Sequence, residues 1–508
     1  MPQTGLRLRL LAGAALLASP AAGPAAAEDL RGALVAAYNT NPTLQAARAG
    51  QRATDEDVPI QKAAGRPSVT GQATHTEFIQ KSANNFTAPD RNLNGTVSLS
   101  VPLYSGGSVR NGVKAAETRV VAGQAALRGT ESTVFSQVVA AYMDVILNEA
   151  VVGLNRSNVQ VLEVNLRATS DRFEIGDLTR TDVAQSQSRL ALARGDTRTA
   201  EANLVAARER YISLVGEAPG ALDPPPPLPG LPTSAEEAVT QALDENPDLL
   251  AAREQRKAAA YDVKVAGAGR LPTVQAFSQG TYNNYFGTLG GAGGAAAAFT
   301  QHETTAQVGL RASVPFYQGG RPAAQRRQAQ ALEGAAMEQE IAAERNLIAQ
   351  VRSAYSAWQA SNELIVSNQS AVDAARLSLE GVRAENSVGN RTILDILDAE
   401  QELLSASVRL VTARRNAYVA GFAMLAAMGR AEAQDLGLDG GTLYDPGVNY
   451  KRVRGKWFDW DDDAAPKPQS TRTVDTKPQD GEIHGTEGGY DSVYQYWCAR
   501  HECPGGGK

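Results

Sequence analysis

The chain contains itself twice, and no other feature limits its fold as tightly. Asn41-Pro42 recurs as Asn246-Pro247, and Pro67 recurs as Pro272, both 205 positions later. Val101-Pro102-Leu103-Tyr104, followed by glycines at 106 and 107, recurs as Val314-Pro315-Phe316-Tyr317 followed by glycines at 319 and 320, now 213 positions later. The same 213 relates Tyr142 to Tyr355, Gly176 to Gly389, Asp182 to Asp395 and Gly216 to Gly429. The second copy therefore gained eight residues, all between Pro272 and Pro315. Tandem self-similarity with one local length change means two halves of like architecture, with the change in a loop.

Each half carries a long stretch without proline, from Leu103 to Ala218 and from Ala323 to Asp445. Inside them Val138, Val145, Val152, Val159 and Leu166 repeat every seven residues, as do Val351, Trp358, Ile365, Val372 and Leu379. A seven-residue apolar repeat predicts helices that supercoil left-handedly. The first helix runs from Gly107 to about Ser170, turns near Gly176 and returns to about Gly216; the second turns near Gly389 and returns to Gly429. Ordinary helical hairpins and filament segments share this pattern, so the helices alone do not assign a function.

The strands discriminate. Leu93, Gly95, Val97, Leu99, Val101 and Leu103 alternate with Asn92, Asn94, Thr96, Ser98 and Ser100. In copy two, Ala306, Val308, Leu310, Ala312, Val314 and Phe316 alternate with Thr305, Gln307, Gly309, Arg311 and Ser313. Such a strand is long enough to cross a bilayer when tilted, with one face for lipid and one for water. Less cleanly alternating strands precede them, at about 66–80 and 271–286. Two strands per copy make four per chain, too few to close a barrel, and open edges are not tolerated in lipid. Closure needs several chains, and a conduit wider than eight strands needs three or more.

The ends of the chain fit export. Arg7 and Arg9, the apolar run Leu8–Leu17 and Ala25-Ala26-Ala27 read as a signal peptide over 1–27. No cysteine near that cleavage point offers a lipid anchor, and no other stretch reads as a membrane helix. Losing the two leader arginines takes the formal charge from −6 to −8, which argues against a nucleic-acid partner. The first repeat then spans 28–216, a proline-rich linker 217–232, the second repeat 233–430 and a C-terminal tail 431–508. The tail holds Trp457, Trp460 and Trp497; its composition predicts packing to about Trp460 and a loose, dispensable remainder.

The twice-repeated order of helix, two strands and long hairpin resembles the TolC-type outer-membrane efflux proteins over roughly residues 29–430. The Asn-Pro and Val-Pro-(Leu/Phe)-Tyr words carry the resemblance, and the run Ser387-Val388-Gly389-Asn390-Arg391-Thr392-Ile393-Leu394-Asp395-Ile396-Leu397-Asp398 makes it specific. It implies a mainly helical protomer with four strands, assembled as a homotrimer with a twelve-stranded barrel in outer-membrane lipid and a periplasmic coiled-coil tunnel. It also implies an exit duct for type I protein secretion or multidrug efflux, with a periplasmic adaptor and an inner-membrane ABC or RND transporter, and no cofactor. The competing reading is a periplasmic coiled-coil adaptor, which also uses helical hairpins but has no need of the alternating strands.

No catalytic constellation accompanies these features; His75 and His302 lie in or beside strands. Asp395 and Asp398, three apart, share a helix face. By spacing alone they are acids near a helix N-terminus, where the helix dipole favours them. The resemblance implies more: stacked acidic rings at the periplasmic entrance that select cations. Their copy-one counterparts are Asp182 and Gln185. Arg391 aligns with Leu178, so its charge belongs to copy two alone; the resemblance implies that it ties the second hairpin to the first through Thr181 and Asp182. Where the family has a constraint tyrosine this chain has Asn386, which hydrogen-bonds but reaches less far. Cys498 and Cys503 predict a local disulfide in an oxidising compartment. A metal site with His501 is the other reading, at a spacing that suits zinc poorly.

Overall fold

A computed structural model of the chain describes residues 29–81, 88–290, 298–438 and 443–483. The signal segment, Cys498 and Cys503 lie outside the described residues. The first half runs α1 (Leu30–Thr40), α2 (Pro42–Ala63), β1 (Ser68–Glu77), β2 (Arg91–Tyr104), α3 (Ser108–Glu174), α4 (Arg180–Val215). The second repeats it as α5 (Ala235–Glu245), α6 (Pro247–Ala268), β3 (Thr273–Asn284), β4 (His302–Ser313), α7 (Arg321–Ser387), α8 (Ile393–Met428); α9 (Pro446–Val453) follows. Corresponding helices have equal lengths of 11, 22, 67 and 36 residues. The eight added residues belong to the connection from β3 to β4.

A helix of 67 residues is about 100 Å long, whereas one of 36 reaches only about half that height. The shortfall is made up by stacking. Asn41 accepts hydrogen bonds from Thr43 N and Leu44 N at the start of α2, while its Nδ2 donates to Leu214 O at the end of α4. Asn246 does the same between α6 and α8, accepting from Asp248 N and Leu249 N and donating to Ala427 O at 2.9 Å. One side chain thus satisfies orphan groups of two helix ends at once. Proline follows in both copies because the first helical position needs no N–H. Gly429 ends α8 with φ +80, and a Cβ there would sit 2.6 Å from Glu245 O, so the joint admits only glycine. Each chain therefore offers two continuous rods, α3 and α7, and two spliced ones, α4 with α2 and α8 with α6.

One window of α3 has a mean hydropathy of 1.4 and is apolar enough to cross a membrane, contrary to the sequence expectation. Its apolar side chains have other neighbours. Phe135, Val138, Val139 and Tyr142 are fully buried against α1, α4 and α8 through Leu34, Leu204, Tyr211 and Phe422. This is the main core. Tyr142 Oη donates to Asp223 O and its counterpart Tyr355 Oη to Thr233 O, so the proline-rich linker is strapped across the hairpins.

The four strands form one antiparallel sheet in the order β1-β2-β3-β4. Val97 pairs with Gly71 on one side and Gly280 on the other, and Gly280 pairs in turn with Ala306. The apolar face is open: Val97, Leu99, Val308 and Leu310 are exposed. The polar face carries a side-chain ladder, with Asn94 Nδ2 donating to Asn283 Oδ1 and Gln307 Nε2 to Gln279 Oε1. Arg311, the charge noted on that face, lies 5.1 Å above the Phe277 ring.

The tail departs from expectation. Its described part is packed beyond Trp460. Residues 471–483 lie along the first hairpin, where the fully buried Arg208 binds Glu149 at 2.6 Å and donates to Asp480 O at 2.9 Å. Arg156 adds bonds to Glu201, Glu482 and Gly481 O, and Ile483 reaches Gly153. The reason is charge: composition shows a polar tail, but not that two arginines of the hairpin await it.

Candidate functional site at the hairpin turns

The end of the molecule far from the sheet consists of the α3–α4 turn, around Gly176, and the α7–α8 turn, around Gly389. Both returning helices open with the same device. Thr179 accepts from Asp182 N, while Asp182 Oδ2 accepts from Thr179 N at 2.8 Å and Oγ1 at 2.7 Å. Thr392 and Asp395 repeat this bond for bond. These capping boxes hold the carboxyls of Asp182 and Asp395 below the usual carboxylate range, chiefly through the threonine hydroxyl and next through its N–H. Two helices that must start sharply after a glycine turn are thereby fixed in direction.

The crosslinks within each turn differ in polarity. Arg172 pairs with Asp177 at 2.7 Å in the first turn; in the second, Glu385 binds Arg391 at 2.7 Å. Arg391 also lies 4.0 Å from Asp395, and Asn386 Nδ2 donates to Arg391 O at 2.7 Å. Arg391 is held more firmly protonated, chiefly by the Glu385 hydrogen bond. The latch expected from Arg391 to Thr181 and Asp182 is not formed within the chain. Arg391 is taken by Glu385, Asp182 is taken by its own cap, and Thr181 stands exposed on the first turn of α4. Asn386 serves the same local turn and does not reach the first hairpin.

The hairpins are joined elsewhere. Arg189 Nη2 of α4 donates to Asp398 Oδ1 of α8 at 2.6 Å. Beside it Leu397 of α8 is buried in the first hairpin against Leu162, Leu190 and Ala193. Higher up, Arg415 Nε meets Asp144 at 2.8 Å. Asp395 and Asp398 do share a helix, but one is bound to its cap and the other to the neighbouring hairpin. Sequence reasoning missed Arg189. A signal was available: it aligns with Glu402, and Asp398 aligns with Gln185, so both partners sit where the copies differ in charge. Among the described residues no group of side chains is arranged to hold a metal. His75 lies edge-on to Phe286 at 5.9 Å, and His302 opens β4.

An open-edged membrane sheet standing on helical hairpins about 100 Å long defines a channel-tunnel protein of the outer membrane. The chain belongs to the outer membrane efflux protein family, whose model matches residues 33–217 and 238–430. It is similar to the outer membrane efflux protein BepC of Brucella suis biovar 1 (strain 1330), with 36% identity over 454 residues, 88% of this chain and 96% of BepC. Outer membrane protein TolC of Escherichia coli (strain K12) is 29% identical over 320 residues, 60% of this chain and 63% of TolC. The crystal structure of the outer membrane protein VceC from Vibrio cholerae shares the fold, with a TM-score of 0.68 at 21% identity over 79% of this chain and 96% of VceC. The chain is thus an outer-membrane transport channel and not an enzyme, and the adaptor reading falls.

Proposed function

We propose that this channel is the exit duct of a type I protein secretion or multidrug efflux system, joined by a periplasmic adaptor to an inner-membrane ABC or RND transporter. The observation that carries the reading is the sheet. Its four strands leave β1 and β4 as free edges, and three chains joined edge to edge make a closed barrel continuous with a tunnel of paired hairpins. Membership of the family supports a trimer working with such machinery. The Ser387–Asp398 run favours the secretion-capable branch. Mass measurement in detergent and bilayer recording test the duct: a trimer with one conducting pore is expected, and a monomer that inserts and conducts overturns it. Crosslinked capture of the native channel, followed by identification of the transporter, decides between ABC and RND partners.

The turns supply the gate and its selectivity. Asp395, repeated by threefold symmetry, gives a carboxylate ring that favours cations. Asp398 with Arg189 gives the link between hairpins. An exposed pair of this kind contributes only about 0–1 kcal/mol, but three copies bias one two-state tunnel. Arg189→Ser and Asp398→Asn should each raise conductance and antibiotic leak without lowering trimer yield. Unchanged conductance in both, with a rise in Arg391→Ser, would return the latch to Arg391 and a neighbouring chain.

A further inference from the structure

The C-terminal segment makes an excursion that is not needed to build rods or sheet. It climbs rung by rung from α1, along α2 and on to the residues that lead into β1. Tyr444 N donates to Tyr38 Oη, Asn449 Nδ2 to Asp55 Oδ2, Lys62 Nζ to Arg454 O, and Arg66 Nη1 to Lys456 O at 2.6 Å. The last rung lies two residues before β1 begins at Ser68, at the rim where helices give way to sheet. There the Arg66 guanidinium covers the Trp457 ring at 4.5 Å, and the chain turns back. Arg452 grips Asp463 through both terminal nitrogens at 2.7 Å, and Lys456 holds Asp461, so the turn is clamped at its base. The chain then descends to Thr471 beside Gly216, and to Asp480 on Arg208.

The tip of this clamped turn is Trp457-Phe458-Asp459-Trp460. Its aromatic side chains are 56%, 79% and 93% exposed, against every expectation for groups of that size in water. They do not stand alone. Tyr104 at the end of β2 and Phe316 and Tyr317 after β4 are exposed at the same end of the sheet, and Val97, Leu99, Val308 and Leu310 continue the apolar surface across it. Tryptophan and other aromatic rings gather where a membrane protein crosses the headgroup layer, with the ring in apolar surroundings and its polar edge wet.

We propose that Trp457, Phe458 and Trp460 insert into the headgroup region of the periplasmic leaflet, so that the tail supplies an aromatic anchor beside the barrel wall. The occupant is a phospholipid surface, because the tip is continuous with the lipid-facing rim and is carried to that height by the rungs on α1, α2 and Arg66. The surface is zwitterionic: exposed Asp459 and Asp462 are balanced by exposed Lys451 and Arg454, none of them in an ion pair among the described residues.

Brominated lipid tests this directly. Full-length trimers are reconstituted in phosphatidylcholine vesicles brominated either near the headgroup or at the chain end. One variant keeps only Trp460 (W358F, W457F, W497F) and a control keeps only Trp358, which lies within α7. On reconstitution Trp460 emission should shift to the blue and lose most of its intensity to the shallow bromines, less to the deep ones, while Trp358 is unaffected. A Trp460 that ignores both lipids and stays open to an aqueous quencher overturns the proposal. So does a Trp460 shielded from lipid and water alike in trimers but not in monomers, since a second copy of the chain then covers the tip. If the triple variants fail to assemble, the quenching lost on W460F alone in otherwise intact trimers gives the same reading.

Discussion

The two hairpins have the same lengths, the same turns and the same capping boxes, yet they are dressed differently. Along α3, 22 residues are buried, from Gly112 through Tyr142 to Thr169, and the linker and tail lie over it. Along α7 only Pro322, Leu347, Val351, Val372, Ala375 and Leu379 are buried, and Leu332, Leu364, Val366 and Leu377 stand exposed. The first hairpin is largely covered within its own chain, although Val121, Val164, Phe173 and Leu192 stand exposed. The second is left for another surface, which a trimeric family member supplies with its next chain. Duplication provides the rods; substitutions after duplication decide which rod faces inward and which faces a neighbour.

Arg208 offers the largest test of that contrast. It is fully buried on Glu149, and its copy-two counterparts are Gly421 and Asn362. Arg208→Ala leaves a buried carboxylate without its partner and should cost about 3–5 kcal/mol, read as the urea midpoint of the trimer. Asn362→Ala in the other hairpin should cost almost nothing. Truncation after Asp463 removes Asp480 but leaves Glu149 in place, so trimers should still form, at a smaller loss than Arg208→Ala. Trimer loss on truncation would make the tail, not the ion pair, the element that finishes the first hairpin.

The spliced rods test equivalence instead of difference. Asn41→Ala and Asn246→Ala each lose the cap of one helix and the carbonyl partner of another, about 1–2 kcal/mol apiece. Equal shifts in melting temperature are expected from the two. A clearly larger shift at one position would show that the joints carry unequal strain in the assembled channel.

The smallest effect concerns acid. The folded carboxyls of Asp182 and Asp395 lie below their unfolded values. Their stabilising contribution is therefore present in full above the ordinary carboxylate range and is lost as pH falls through the lower, folded value. Hydrogen exchange at the amides of Asp182 and Asp395 should accelerate together only in that acid window. Thr179→Ala and Thr392→Ala should bring the acceleration to neutral pH in one turn each.

Much of this was legible in the sequence because repetition exposes it. Helix order, the turns at Gly176 and Gly389, the alternating strands and the place of the added residues follow from aligning the chain with itself. What stayed hidden were contacts between positions that the alignment sets apart. Arg391 has a charge unique to copy two and, by the family resemblance, a latch to the first hairpin, yet its partner Glu385 is six residues away in the same turn. Arg189 and Arg208 passed unnoticed although they also lack a counterpart of like charge, because nothing in a linear pattern says which acid lies opposite. Asp182 and Asp395 pointed the other way: being alike in both copies, they perform the one task that both turns need, starting a helix.

The splices at Asn41 and Asn246 also set how the wall of the tunnel bends. Every chain alternates an unbroken member with an articulated one. A torque applied at the inner end meets continuous backbone in α3 and α7, whose bending would break helical hydrogen bonds one after another. In the articulated members it meets a joint without continuous backbone, held by hydrogen bonds to one asparagine and by the core around Leu44 and Val215 or Leu249 and Met428. Those joints stand a full 22-residue helix, α2 or α6, short of the sheet. Mechanically each chain pairs a stiff strut with a jointed one, and the joints stand between the hairpin turns and the sheet.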